Sequence, residues 1–149
     1  IVPAKNQDLT DLDKGLSFCE SMGADSILVL QAHGSRMDHT LANIGLLRKH
    51  HSPDRLLILE TEDEQLFYVK DARVLLQGPI GAACAVVGCP AALMTSEGLA
   101  YNGENYLLDF GVQGSTSNAL SAKEASIAIK GEALFIVAHS IRFSIETMK

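Results

Sequence analysis

The chain has 149 residues, with twelve Lys+Arg against eighteen Asp+Glu and a formal net charge of −6. Hydrophobic residues make up 47% and charged residues 20%. That balance excludes a disordered chain and, at this length, allows roughly 70% of the unfolded surface to be buried without covalent staples. The acidic excess argues against a nucleic-acid binder, and no apolar run approaches the roughly 20 residues of a membrane span. Cys19, Cys84 and Cys89 are an odd count without C-x-x-C spacing, so neither a disulfide framework nor a zinc ribbon is expected. A reducing, cytoplasmic compartment is the default reading of such cysteine usage.

Taken in chain order, Leu12, Leu16, Cys19 and Met22 recur at helical spacing, behind Thr10 as N-cap and ahead of Gly23 at the C′ position. Asp13 stands in the place of a capping-box acid. Residues 26–31 form a short apolar run expected to be a strand buried on both faces. The polar loop Ala32–Arg36 leads to a second helical pattern with Met37, Leu41, Ile44 and Leu47 inward, stopped before Pro53. Residues 55–60 read as another buried strand. Strand, helix and strand with short connections imply a parallel sheet flanked by helices.

From about residue 65 the helical period is gone. Short strand-like runs at 65–70, 73–76, 83–87, 106–110, 125–130 and 133–137 alternate with turn residues. The expected fold is therefore α/β plus all-β: a partial parallel α/β domain over 1–62, then an antiparallel β-sandwich or roll over 63–149, divided at the charged turn Thr61-Glu-Asp-Glu64. The chain begins at Ile1, not Met, and opens at once into a dense polar motif, so a further segment is expected ahead of it.

Three segments can carry chemistry. In Asn6-Gln-Asp-Leu-Thr-Asp11, Asp8 and Asp11 stand three apart at a helix mouth, a spacing that can share a hard cation such as Mg²⁺; it also suits a solvated first turn that favours the helix dipole. His33-Gly-Ser-Arg-Met-Asp-His39 lies at the carboxyl end of the first strand, where open α/β sheets bind ligands. There Arg36 can fork onto phosphate oxygens and Asp38 can ligate a metal or orient a hydroxyl, or the two can pair on the surface. His33, Asp38 and His39 lack zinc-type spacing. Gly114-Ser-Thr-Ser-Asn118 can grip a polar heterocycle or simply turn the chain, and Ser117 lacks the G-x-S-x-G setting of a hydrolase nucleophile. Phe135 can pack in a core or stack on a ring.

Asn6-Gln-Asp-Leu-Thr-Asp11-Leu-Asp-Lys14, followed by Gly34-Ser-Arg-Met-Asp-His-Thr-Leu-Ala-Asn43 and an all-β tail with Glu97-Gly-Leu-Ala-Tyr101 and Ser115-Thr-Ser-Asn118, resembles the thiamin pyrophosphokinases over nearly the whole chain. The resemblance implies an α/β half that holds ATP and Mg²⁺ and a β-sandwich half that contributes to thiamin binding, in a homodimer that transfers pyrophosphate from ATP to the thiamin hydroxyl. By motif, Gln7, Thr10 and Arg36 would contact nucleotide. Asp8, Asp11 and Asp38 would surround the metal, with Asp11, Asp38 and Arg36 catalytic. Ser115, Ser117, Asn118 and Phe135 would lie at the thiamin end. Asn6 replaces an acid of the family pattern, Ser35 replaces a glycine, and an upstream G-D-x-D-S segment has no counterpart in these residues. A non-catalytic thiamin- or nucleotide-binding module and a structural dimerisation domain are the alternatives.

Overall fold

In the computed structural model, residues 8–33 and 36–148 are described, as two compact units, Ile1–Thr61 and Glu62–Lys149. The described elements are two helices and eight strands, an α+β composition.

The first unit runs α1 (Asp11–Ser21), β1 (Ser26–Leu30), α2 (Met37–Lys49) and β2 (Leu56–Glu60). Thr10 caps α1, its hydroxyl accepting from the Asp13 amide at 3.2 Å. Gly23 takes the left-handed conformation (φ 78°) that ends the helix, with its amide on the Glu20 carbonyl. The Asp13 side chain does not close a capping box; it turns inward to Lys49 and His50. β1 and β2 pair in parallel, Ile27 opposite Leu57 and Val29 opposite Leu59. Leu16, Leu46, Leu47, Leu57 and Leu59 are buried. Two expectations need correction. Leu28 and Leu30, on the other face of β1, remain 52% and 63% exposed, so the strand is buried on one face only in this unit. Met37 and Leu41 are exposed as well, because α2 turns its Leu46–Leu47 end inward and leaves its first turns outside.

The second unit is antiparallel: β3 (Glu64–Gln77), β4 (Ala83–Glu97), β5 (Tyr106–Asp109), β6 (Ser115–Ala119), β7 (Glu124–Ala138) and β8 (Arg142–Thr147). The strand order is β3-β7-β4-β5, with β6 also on β4 and β8 on β3. The runs at 65–70 and 73–76 are one strand, interrupted by a bulge between Lys70 and Ala72. There β3 advances two residues, Lys70 to Ala72, while β7 advances three, Glu132 to Ile129, and the parity of β3 resets: Phe67 and Val69 face the core before it, Ala72, Val74 and Leu76 after it. β7 likewise joins two expected strands through Gly131.

The long strands bend over a single core. Phe67 pairs with Phe135 in register, and their rings stack at 5.1 Å. Phe67 also stacks on Phe143 at 3.9 Å, although Phe143 pairs with Leu76, some 30 Å further along a straight strand at about 3.3 Å per residue. Only a sheet folded back on itself brings those rings together, and Ile127, Ile129, Val86 and Met94 fill the space between its halves.

Candidate functional site

In the first unit the candidate residues stand at two helix entrances. Asp11 opens α1, fully exposed, and accepts from Lys14 Nζ at 3.3 Å. Asp8 lies three residues earlier in the approach to the helix and is exposed. Thr10 spends its hydroxyl oxygen on the cap. Gln7 lies outside the described residues. At the second entrance Arg36 forks onto Asp38: Nε to Oδ1 at 3.1 Å and Nη2 to Oδ2 at 2.5 Å. Asp38 Oδ1 also accepts the His39 amide at 3.0 Å. The Arg36 guanidinium, with help from that amide, holds the Asp38 carboxyl below the usual carboxylate range. Both side chains are largely exposed, so the fork is open to exchange with an incoming anion. Asn43, which closes the Gly34–Asn43 segment, steadies this end of β1: its Nδ2, on α2, donates to the Ala32 carbonyl at 2.7 Å.

The second unit carries a cleft of about 260 Å³ lined by Met94, Tyr101, Asn102, Tyr106, Gly114, Ser115, Thr116 and Asn118. The run 114–118, which reads as a loop, supplies β6. Between Cys84↔Asn118 and Val86↔Ser115 the register slips by one residue on the β6 side, and Ser117 takes φ 56° there. Regular alternation would send Ser115 and Asn118 to opposite faces; the bulge turns both inward, where Asn118 Nδ2 donates to Ser115 Oγ at 2.9 Å. Ser117 is left exposed.

The far wall of the cleft is a loop stapled by side chains. Asn118 Oδ1 accepts the Tyr101 amide at 3.1 Å and Nδ2 donates to the Tyr101 carbonyl at 2.8 Å. Asn102 Oδ1 accepts the Leu99 amide at 3.1 Å, and Ser96 Oγ accepts the Gly103 amide at 3.0 Å. Gly103 is required: a Cβ there would sit 2.6 Å from Tyr106 Cβ. Phe135 is a correction. It is 0% exposed with its ring against Phe67, a core residue with no face to offer a ligand.

Residues 1–59 match the family described as thiamin pyrophosphokinase, catalytic domain. Over 149 residues the chain is 30% identical to thiamine pyrophosphokinase 3 of Oryza sativa subsp. japonica, covering 92% of this chain and 55% of the rice protein. This chain is similar to proteins named thiamine pyrophosphokinase along most of its length. Thiamine pyrophosphokinase 2 of Arabidopsis thaliana is 31% identical over 150 residues, 92% of this chain and 54% of that protein. The chain thus spans about half the length of the curated thiamin pyrophosphokinases it matches. The same fold is found in the thiamine pyrophosphokinase of Bacillus subtilis, with TM-score 0.80 and 22% identity over 89% of this chain and 64% of that one.

Asp8, Asp11 and Asp38 have the oxygen-donor chemistry that Mg²⁺ prefers. Among the described residues, however, no three His, Cys, Asp or Glu side chains are grouped as metal ligands. The convergence of these carboxylates that the thiamin pyrophosphokinase resemblance implies is not seen: Asp11 is held toward Lys14 and Asp38 toward Arg36. The described residues do not by themselves fit a Mg²⁺ site. Sequence reasoning missed Met94, Asn102 and Tyr106 in the cleft. The Glu97–Tyr101 segment was the available signal, since it forms the stapled wall.

Proposed function

We propose that this chain is part of a thiamin pyrophosphokinase, which transfers pyrophosphate from ATP to the hydroxyl of thiamin and releases AMP. One observation carries the reading: similarity to proteins of that name runs through both units, over 92% of the chain, and so takes in the helix entrances and the polar cleft together. In this reading residues 1–62 belong to an α/β ATP-binding domain and 63–149 to a β-sandwich that binds thiamin. The thiamin hydroxyl oxygen attacks the β-phosphorus, the bond between the β-phosphorus and the bridging oxygen breaks, and AMP leaves with that oxygen. Such transfer depends on positioning and charge neutralisation more than on covalent catalysis. Arg36 exchanges the Asp38 carboxylate for phosphate oxygens, which frees Asp38 or leaves Asp11 to accept the hydroxyl proton. By the family motif, Gln7 and Thr10 are assigned to the nucleotide. Ser115 and Ser117 lie on the thiamin side, with Asn118 behind them. Mg²⁺ as cofactor, assembly as a homodimer and a cytoplasmic location belong to the same proposal. Among the described residues no helix is long and apolar enough to cross a membrane.

A second reading has its own support. With Arg36 and Asp38 paired to each other and the carboxylates ungathered, the chain by itself suits a module that binds thiamin or nucleotide without transfer. Calorimetry with thiamin and ATP, run beside an AMP-release assay on the pure chain, separates the two. Thiamin binding with slow or absent AMP release is the expected result for this length of chain. Absence of binding to either substrate would sink both readings.

A further inference from the structure

We propose that Asn118 is a positioning residue, not a ligand contact: it fixes the Tyr101 wall of the cleft and sets the Ser115 hydroxyl as a hydrogen-bond donor to the occupant. The proposal rests on the reading of the cleft as the thiamin end of the site.

A side-chain amide has two N–H donors and an oxygen with two lone pairs. In Asn118 all four are in use: Nδ2 donates to the Tyr101 carbonyl and to Ser115 Oγ, while Oδ1 accepts the amides of Tyr101 and Ala119, the last at 2.9 Å. The orientation of the amide is fixed, since the Tyr101 carbonyl can only accept and the two amides can only donate. Asn118 is 3% exposed. Nothing on it remains for a ligand.

Two consequences follow for the wall. The amide of Tyr101 is committed to Asn118 and its carbonyl is held by the same side chain, while the residue is 72% exposed, so its ring is the group free to meet an occupant. The Ser115 oxygen accepts from Asn118, so its single O–H is directed elsewhere, and Ser115 lines the cleft. The cleft therefore selects a molecule that brings an acceptor to Ser115, such as an uncharged ring nitrogen of an aminopyrimidine.

Asn118→Asp isolates the claim. A carboxylate still accepts both amides but has no donor for the Tyr101 carbonyl, and it draws the Ser115 O–H toward itself. Calorimetric titration with thiamin should show Asn118→Asp and Ser115→Ala each weakening binding about tenfold, the scale of one hydrogen bond. The double variant should be no weaker than either single one, a coupling that mere loss of stability would not produce. Amide exchange on the ligand-free protein gives an arm independent of thiamin. Exchange at Tyr101 should accelerate in Asn118→Leu and stay slow in Ser115→Ala, with the amides of Phe67 and Phe135 unchanged in both. Slow exchange at Tyr101 in Asn118→Leu would overturn the bracket. Full thiamin affinity in Ser115→Ala would overturn the donor. If the unmodified chain binds no thiamin, the reading of the cleft fails, and the exchange arm still decides the role of Asn118.

Discussion

His50 Nε2 lies 2.8 Å from Asp13 Oδ1, across 37 positions of sequence, and both side chains are almost wholly buried. The other ring nitrogen, Nδ1, faces Glu20 Oε1 at 3.0 Å. Both ring nitrogens therefore face carboxylate oxygens, which accept hydrogen bonds. Lys49 Nζ holds the second Asp13 oxygen at 2.6 Å, and Arg55 reaches Glu20 at 2.5 Å and the Ala24 carbonyl at 3.1 Å. This network ties the start and end of α1 to the end of α2 and the approaches to β1 and β2. Removing one partner strands buried charge, so Asp13→Ala should destabilise the first unit by about 3 kcal/mol in chemical denaturation. A loss under 1 kcal/mol would show that the network is solvated in solution.

The same carboxylate sets an acid limit. The hydrogen bond from Lys49 is the largest influence on Asp13, and with His50 it outweighs burial and keeps the folded pKa below the ordinary value. A depressed folded pKa means stability that is fully present above the unfolded value, about 3.9, and lost as pH falls through the folded one. Helical circular dichroism should therefore decline below about pH 4, and Asp13→Asn, starting less stable, should show a flatter acid limb. Parallel acid limbs in the two proteins would contradict that assignment.

Ser117 holds a left-handed backbone, φ 56°, at the β6 bulge. A side chain there costs roughly 1–2 kcal/mol that glycine avoids, offset in part by the freedom glycine gains in the unfolded chain. Ser117→Gly should leave the melting temperature level or raise it by up to about 1 kcal/mol in equivalent stability. Ser117→Val should lower it. The reverse order would mean that the hydroxyl, not the backbone, decides this position.

Gly131 marks the corner of β7. Its φ is 102°, and its amide donates to Asp71 Oδ1 at 2.8 Å, joining the corner to the β3 bulge. An added Cβ would lie 2.7 Å from the Ala91 carbonyl oxygen. Gly131→Ala meets backbone on one side and a disfavoured conformation on the other, so the second unit should lose at least about 2 kcal/mol. Thermal unfolding followed by tyrosine absorbance would register it, and an unchanged midpoint would show that the corner can relax.

Legibility in the sequence followed the range of the cause. The ends of α1 are local, set by Thr10 and Gly23, and can be read directly. The exposed face of Leu28 and Leu30 cannot, because an apolar run does not say what covers it. β3 and β7 read as two strands apiece because Asp71 and Gly131 look like turns, whereas they are bends inside continuous strands. β6 is a run of Ser, Thr and Asn without apolar alternation, and only pairing with β4 makes it a strand. β8 does alternate, at Phe143 and Ile145, but its length of six residues and edge position give a weak signal. In the cleft, Ser115 and Asn118 are legible as motif residues. Their mutual bond depends on a bulge that spacing does not reveal.

Arg36 and Asp38 offer the sharpest division between stability and function. Their fork is exposed, and ion pairs of that kind contribute about 0–1 kcal/mol. Asp38→Asn should therefore shift the melting temperature by only a few degrees. In a complete thiamin pyrophosphokinase carrying this segment, the same change removes a negative charge that Arg36 must otherwise leave, and a group poised to take the hydroxyl proton. ATP should bind at least as tightly, because the guanidinium is released, while kcat falls by about a hundredfold, the usual scale for loss of an acid–base group. Fluorescence-detected nucleotide binding and AMP release, measured on one preparation, read the two effects apart. Full turnover in Asp38→Asn would reduce this residue to a surface partner of Arg36 and leave Asp11 as the remaining candidate base.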